Sequence, residues 1–161
     1  MREPAPRSIE CATWTAADKS AMGQSEFAQF IENNVADIRN PPGATVLEVA
    51  RNLQAKKAVD FSSAIRLATG EQQFTYSEVI QGSSQNGNIS VPEEFTLGIP
   101  VFLNDALYEV RARLRYRITD SKLKLWYDLY RPEAIITDAF DKIVSTIAEK
   151  TGVTVWQGQV E

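Results

Sequence analysis

The amino-acid sequence predicts an α+β fold, with a mostly antiparallel sheet of four to six strands covered on one face by about three helices. Apolar residues recur at helical spacing before residue 54 and after residue 131, and the chain between them alternates apolar and polar residues. A chain of 161 residues with 43% hydrophobic and 24% charged residues has the composition of one globular domain. Helices placed before and after a run of strands are typical of the α+β class.

The N-terminal segment, residues 1–23, is expected to be a loosely ordered leader, and residues 24–161 are expected to form a single α+β domain. The leader contains two prolines and few apolar residues, so it has little surface to bury. Trp14 is the exception, and we expect this residue to anchor the leader on the domain.

Two helices are expected next. The first runs from Ser25 to Asn40, because its apolar residues form one stripe and the Pro-Pro pair that follows cannot continue a helix. This stripe consists of Phe27, Phe30, Ile31, Val35 and Ile38. The second helix is expected to begin at a T-x-x-E capping box formed by Thr45 and Glu48.

The period then changes from helical spacing to alternation. Residues 59–79 are expected to form a hairpin that turns at Gly70 and Glu71. The stretch GSSQNGN, residues 82–88, consists of turn-forming residues and is predicted to be an exposed loop. Two prolines bracket residues 92–100, which favours an edge strand or a crossing loop because proline donates no hydrogen bond to a neighbouring strand.

Residues 107–130 carry the clearest strand pattern, two runs whose side chains alternate between an apolar and a polar side. A two-residue turn at Asp120 and Ser121 would pair Ile118 with Leu123 and thereby fix the register of the hairpin. A slip by one residue would bury the arginines, so this register is strongly favoured.

A long helix is expected after this hairpin. It begins at Pro132, since proline suits the first turn of a helix, and ends at Gly152, since glycine suits a left-handed C-cap. One apolar face of this helix consists of Ile136, Ala139, Phe140, Ile143 and Ile147. Residues 153–156 indicate a short terminal strand.

The composition removes several classes of function. The chain contains no histidine, which excludes a Ser-His-Asp triad, a Cys-His pair and histidine metal ligands. Its single cysteine, Cys11, can form neither an internal disulfide nor a multi-thiolate zinc site. The acidic pair Asp138 and Asp141 consists of neighbours on one helix, and no glycine-rich phosphate loop occurs. We therefore expect no catalytic residue, no metal site and no cofactor, and hence no enzyme.

The cellular location is predicted from the same composition. The start MREPAPR lacks the apolar stretch of a signal peptide, and no apolar run approaches the roughly 20 residues that span a bilayer. With a single cysteine in addition, these features predict a cytoplasmic protein that does not contact a membrane.

The predicted hairpin concentrates positive charge on its polar side. Residues 106–131 carry a net charge of +4 in a chain whose total is −4, so the remaining residues carry −8. The candidate binding residues on this side, called the basic face below, are Arg111, Arg113, Arg115, Arg117, Lys122, Lys124, Trp126 and Tyr130.

Three interpretations of the basic face remain open. Cations two residues apart, with aromatic rings between them, suit the phosphates and bases of single-stranded or double-stranded nucleic acid. The same charges suit an acidic protein partner. They also suit a solvated surface, in which Arg113 pairs with Asp128 and Arg115 lies over Trp126.

Nine short segments of the chain occur in a distinctive order: QSEFAQFIENN, ADIRNP, LEVARNL, VDFSSAIRLATG, VPEEFTLGIPVF, YEVRARLRYRI, LYRPE, DAF and TGVTVWQG. In these segments, over about residues 14–158, the chain resembles the YfdQ-like family of phages and prophages. The resemblance implies a phage or prophage origin, the cytoplasm of an infected or lysogenic bacterium, and a genomic neighbourhood of recombination functions. It supplies no catalytic residues. Family members extend further at the N-terminus, so the chain corresponds to their C-terminal two-thirds.

These observations together predict a phage accessory protein that catalyses no reaction and binds nucleic acid or a nucleoprotein assembly through the basic face. An inhibitor that docks on a host defence protein is the main alternative, because a chain with separated charges suits either acidic or basic partners. A structural or assembly role is the third.

Overall fold

The computed structural model describes residues 6–53, 65–66, 72–80, 83–119 and 122–155. Within these ranges the chain forms four α-helices and two antiparallel sheets, which confirms the predicted α+β class. The helices are α1 (Ile9–Ala16), α2 (Gln24–Asn33), α3 (Gly43–Asn52) and α4 (Pro132–Thr151). The strands are β1 (Met22–Gly23), β2 (Ile38–Asn40), β3 (Ile65–Arg66), β4 (Gln72–Ile80), β5 (Ser83–Val91), β6 (Glu94–Pro100), β7 (Leu107–Thr119) and β8 (Lys122–Leu129).

The larger sheet has five strands in the order β1-β8-β7-β6-β2, and every neighbouring pair is antiparallel. The smaller sheet has the order β3-β4-β5 and is also antiparallel. Strand β7 lies at the centre of the larger sheet and is its longest strand, with 13 residues. The basic face therefore lies on the central hairpin of the sheet.

The β7–β8 hairpin has the predicted register. Ile118 pairs with Leu123, and Thr119 pairs with Lys122, on either side of the turn predicted at Asp120 and Ser121. Those two residues lie outside the described ranges, as does the turn predicted at Gly70 and Glu71, although β3 and β4 on either side of it are antiparallel.

The core lies between one side of the larger sheet and the helices. Helices α1, α2 and α3 contribute buried side chains to it, and the first half of α4 covers one end of the same side. The largest fully buried side chains are Trp14, Tyr127, Phe27, Phe95, Ile31, Leu53, Leu97 and Leu125. Because these helices pack on one side of the sheet, the polar side of β7 and β8 remains exposed.

The prediction of a loosely ordered leader over residues 1–23 is wrong for the part of it that the structure describes. Residues 9–16 form α1, and the Ser8 hydroxyl caps this helix by accepting a hydrogen bond from the Cys11 backbone N–H at 3.0 Å. Trp14 is fully buried, which confirms that it anchors the segment. The sequence pattern missed this helix because its apolar residues do not form one clear stripe: Cys11 and Trp14 are buried, whereas Ile9 is exposed.

Helix α2 ends at Asn33 instead of Asn40. The Asn34 side chain donates a hydrogen bond to the Phe30 carbonyl at 2.8 Å, and a short 3₁₀ turn follows at Val35–Asp37. Ile38, the last residue of the predicted apolar stripe, is still buried, although it lies on strand β2 and not on the helix.

Helix α3 begins earlier than predicted. Its first residue is Gly43, and its N-cap, Pro42, makes no side-chain hydrogen bond to the helix. The predicted capping box at Thr45 and Glu48 is therefore wrong.

Two predictions for the strands after residue 80 are also wrong. Residues 83–91 form β5, which pairs with β4 along its whole length instead of forming an exposed loop. Strand β6 lies between β2 and β7, so it is neither an edge strand nor a crossing loop. Its prolines do not interrupt the sheet, because Pro92 precedes the strand and Pro100 is its last residue.

Helix α4 confirms the prediction at both ends. It begins at Pro132, and Gly152 adopts the left-handed conformation with φ 66° while its N–H donates to the Ala148 carbonyl at 2.9 Å. Its apolar face is only partly covered, since Phe140 and Ile147 are 42% and 45% exposed. Residues 152–155 form no strand. No helix in the described ranges has the length and apolar character needed to cross a lipid bilayer.

Candidate nucleic-acid interface

The candidate interface is the side of the β7–β8 hairpin that faces away from the helices. The structure places all eight predicted residues on this side: Arg111, Arg113, Arg115, Arg117, Lys122, Lys124, Trp126 and Tyr130. Seven of them are exposed, and Trp126 is half-buried. The alternation of side chains along two paired strands brings them together, as the sequence pattern predicts.

Two arginines of the basic face are paired with carboxylates. Arg113 Nη2 lies 3.2 Å from Glu94 Oε1 on β6, and Arg115 Nε lies 3.0 Å from Asp128 Oδ2 on β8. All four side chains are between 30% and 44% exposed, so each pair contributes only about 0 to 1 kcal/mol to stability. The carboxylate beside each of these two arginines nevertheless balances its positive charge.

The solvated-surface interpretation predicted an ion pair between Asp128 and Arg113, and this prediction is wrong. Arg113 lies opposite Glu94 in the register of β6 and β7, and it forms its ion pair there. Asp128 instead contacts its diagonal neighbour, Arg115. Long side chains reach both the direct and the diagonal positions of a neighbouring strand, so register alone does not decide between them.

Three other arginines stack on aromatic rings. The Cζ atom of Arg111 lies 4.8 Å from the centroid of the Tyr130 ring, and that of Arg131 lies 5.6 Å from the same centroid. Arg117 Cζ lies 5.8 Å from the centroid of the Trp126 ring. Trp126 therefore carries Arg117, and the expected stacking of Arg115 on it is wrong.

Stacking and ion pairing leave a guanidinium in different states. A stacked guanidinium uses its face, so the N–H donors at its edge remain available to an anion. An ion-paired guanidinium uses those donors on its carboxylate. Arg111, Arg117 and Arg131 are thus better prepared to bind an anion than Arg113 and Arg115.

Hollows along the hairpin give the basic face its shape. A groove of about 120 Å³ runs over it from Arg115 to Tyr130. At the end of the hairpin nearer α4, this groove meets a cleft of about 380 Å³, and Arg111 and Tyr130 line both. A third hollow of about 290 Å³ lies beside Arg113 and Arg115, next to the chain that joins β5 to β6.

Sequence reasoning missed two cations that belong to this surface. Arg131 follows the hairpin directly, and its position beside Tyr130 was the signal that could have identified it. Arg39 extends the surface on β2, where a Cβ added at Gly98 would lie 2.7 Å from its Nε atom. No sequence signal placed Arg39 here, because its segment was assigned to a helix.

The buried nucleophilic groups lie away from this surface. Burial raises the pKa of the Cys11 thiol, and burial also raises the pKa of the Tyr127 hydroxyl, so both stay protonated at neutral pH. The Tyr127 hydroxyl donates a hydrogen bond to the Trp14 carbonyl at 2.7 Å, which is a structural role. In the residues that the structure describes, no group of three or more acidic or cysteine side chains is arranged to hold a metal ion.

The fold and this surface define a small α+β protein that presents an arginine-rich β-hairpin. Its chain belongs to the family described as "Uncharacterized conserved protein (DUF2303)", whose model matches residues 5–160. The matched region includes α1, in agreement with the place of this helix in the core. No match was found among the curated proteins or the solved structures.

Proposed function

We propose that this protein binds a single nucleic-acid strand along the basic face and acts as a non-enzymatic accessory protein of a phage or prophage. The observation that carries the proposal is the stacking of Arg111 and Arg117 on Tyr130 and Trp126, which prepares two guanidiniums on one exposed strand. The resemblance to the YfdQ-like family supports the phage setting.

The dimensions of the face suit a short stretch of strand. Arg111 and Arg117 are six residues apart on β7, which corresponds to roughly 20 Å at about 3.4 Å per residue. Proteins that bind single strands combine such a cationic track with aromatic rings on which bases stack. The half-buried Trp126 and the exposed Tyr130 supply these rings.

The two kinds of arginine allow a matched test. The double substitution Arg111→Gln with Arg117→Gln is expected to lower the salt slope of binding by about 1.4, at roughly 0.7 for each lost phosphate contact. The double substitution Arg113→Gln with Arg115→Gln removes the same charge from the same strand. It is expected to lower the slope by less than half as much, because Glu94 and Asp128 already compensate these arginines.

The measurement is the fluorescence anisotropy of a labelled DNA oligonucleotide, titrated with each protein at several salt concentrations. Equal slopes for the two double variants would show that aromatic stacking does not select the binding arginines. If the wild-type protein binds neither DNA nor RNA at low ionic strength, the proposed function is wrong.

Trp126→Ala tests the contribution of base stacking. Loss of the indole ring is expected to cost about 1 to 3 kcal/mol of affinity for single-stranded DNA. Because Arg117 also loses the ring that prepares it to bind phosphate, the salt slope is expected to fall by up to roughly 0.7. Anisotropy titrations at two salt concentrations measure both quantities. An unchanged affinity would place the bases elsewhere, and circular dichroism controls for a loss of folding.

A second candidate function is the inhibition of a host defence protein by docking. The observation that favours it is the partly uncovered apolar side of α4, where Phe140 and Ile147 are exposed. Phe140→Asp would abolish capture of a defence protein in a pull-down and leave anisotropy with DNA unchanged. Loss of DNA binding in Phe140→Asp would instead indicate that the apolar side of α4 and the basic face form one interface.

A further inference from the structure

The cleft beside α4 has a composition of its own. It lies where the start of β7, the end of β8 and the first turns of α4 meet, and its volume is about 380 Å³. Two guanidiniums line it, those of Arg111 and Arg131, and both stack on the ring of Tyr130. An internal phosphate carries one negative charge, which a single cation can balance. In this cleft, by contrast, two guanidiniums lie over the same aromatic ring.

We propose that this cleft holds the terminal phosphate of the bound strand, an inference that rests on the proposed function. A terminal phosphomonoester carries about −1.5 to −2 charges at pH 7 and three acceptor oxygens. Guanidiniums bind such a group through charge-assisted hydrogen bonds from their edges, and stacking leaves these edges available. Arg111 and Arg131 therefore match a terminal phosphate better than an internal one, which carries a single charge.

The shape of the surface favours the end of a strand over its middle. The groove over the basic face leads into the cleft, because Arg111 and Tyr130 line both. Ala134 and Ile135 in the first turns of α4 form the far wall of the cleft. A strand that follows the groove from Arg115 towards Tyr130 meets this helix, so its last phosphate lies beside Arg111 and Arg131.

Two carboxylates also line the cleft, and their effects differ. Asp138 Oδ2 lies 3.1 Å from Lys142 Nζ, so a neighbouring cation compensates its charge. Glu109 lies two residues before Arg111 on the same side of β7, and its charge opposes an anion in the cleft. Removal of the Glu109 charge is therefore expected to strengthen phosphate binding.

The test compares three DNA oligonucleotides of one sequence, with a 5′-phosphate, a 3′-phosphate or hydroxyl groups at both ends. Competition against an internally labelled oligonucleotide measures their affinities. The wild-type protein is expected to prefer one phosphorylated end over the hydroxyl form by about tenfold. The preference is expected to fall below about twofold in Arg131→Gln and to rise in Glu109→Gln.

Arg113→Gln is the matched control, because it makes the same substitution on the same face outside the cleft and should keep the preference. Equal affinity of the wild-type protein for all three oligonucleotides would overturn the inference and leave the proposed function standing. A loss of preference in Arg113→Gln as large as in Arg131→Gln, or a weaker preference in Glu109→Gln, would overturn the assignment to the cleft. Failure to bind any oligonucleotide would overturn the inference and the proposed function together.

Discussion

Trp14→Ala is expected to lower the free energy of unfolding by about 3 to 5 kcal/mol, since it removes a large buried aromatic side chain. The Trp14 ring is fully buried, and its centroid lies 5.0 Å from that of Phe30 and 5.1 Å from that of Tyr127. Its Nε1 atom donates a hydrogen bond to Asp37 Oδ2 at 2.8 Å. Thermal unfolding should show a fall in Tm of roughly 6 to 20 °C.

Trp14→Phe separates ring packing from the hydrogen bond. Phenylalanine keeps part of the aromatic contact but cannot donate to Asp37, so the loss of stability is expected to be smaller than in Trp14→Ala. Burial raises the pKa of the Asp37 carboxyl, and the hydrogen bond from Trp14 lowers it. The pKa of Asp37, followed by NMR, should therefore rise further in Trp14→Phe. A Tm within about 2 °C of wild type in Trp14→Ala would contradict the place of α1 in the core.

Leu125→Ala is expected to cost about 2 to 5 kcal/mol, because it opens a cavity in the middle of the larger sheet. Leu125 is fully buried on β8, where it pairs with Met22 of β1 on one side and with Tyr116 of β7 on the other. Urea denaturation should show a lower midpoint with an unchanged slope.

Lys124→Gln is the control for this substitution, since Lys124 is adjacent on β8 but exposed on the basic face. Its free energy of unfolding should stay within about 0.5 kcal/mol of wild type. Similar losses in Leu125→Ala and Lys124→Gln would contradict the alternation of buried and exposed residues along β8.

The β7–β8 hairpin shows what can be predicted from the sequence and what cannot. Two runs of strict alternation and a two-residue turn determine which residues share a side, so both the pairing of Ile118 with Leu123 and the basic face were predicted correctly. The partners of the arginines were not, because the choice between direct and diagonal neighbours depends on Glu94, which a different strand supplies.

The errors elsewhere arose where a local pattern conflicted with the surroundings that the fold provides. The apolar residues of helix α1 do not form one clear stripe, yet the buried side chains of Trp14 and Cys11 hold the helix in place. Strand β5 contains turn-forming residues, but the long neighbour β4 satisfies its backbone hydrogen bonds. The periodicity of a single segment indicates neither effect, because both depend on contacts with other elements of the fold.

The hydrogen bond from the Tyr127 hydroxyl to the Trp14 carbonyl joins residues 113 positions apart, which fixes the order in which the fold can be completed during synthesis. A ribosome adds about 5 to 20 residues per second, so roughly 6 to 23 s pass between the synthesis of Trp14 and that of Tyr127. During this interval α1 has been synthesised, but strand β8, whose Tyr127 packs against Trp14, has not. Helix α1 therefore reaches its final position only after the β7–β8 hairpin has been synthesised.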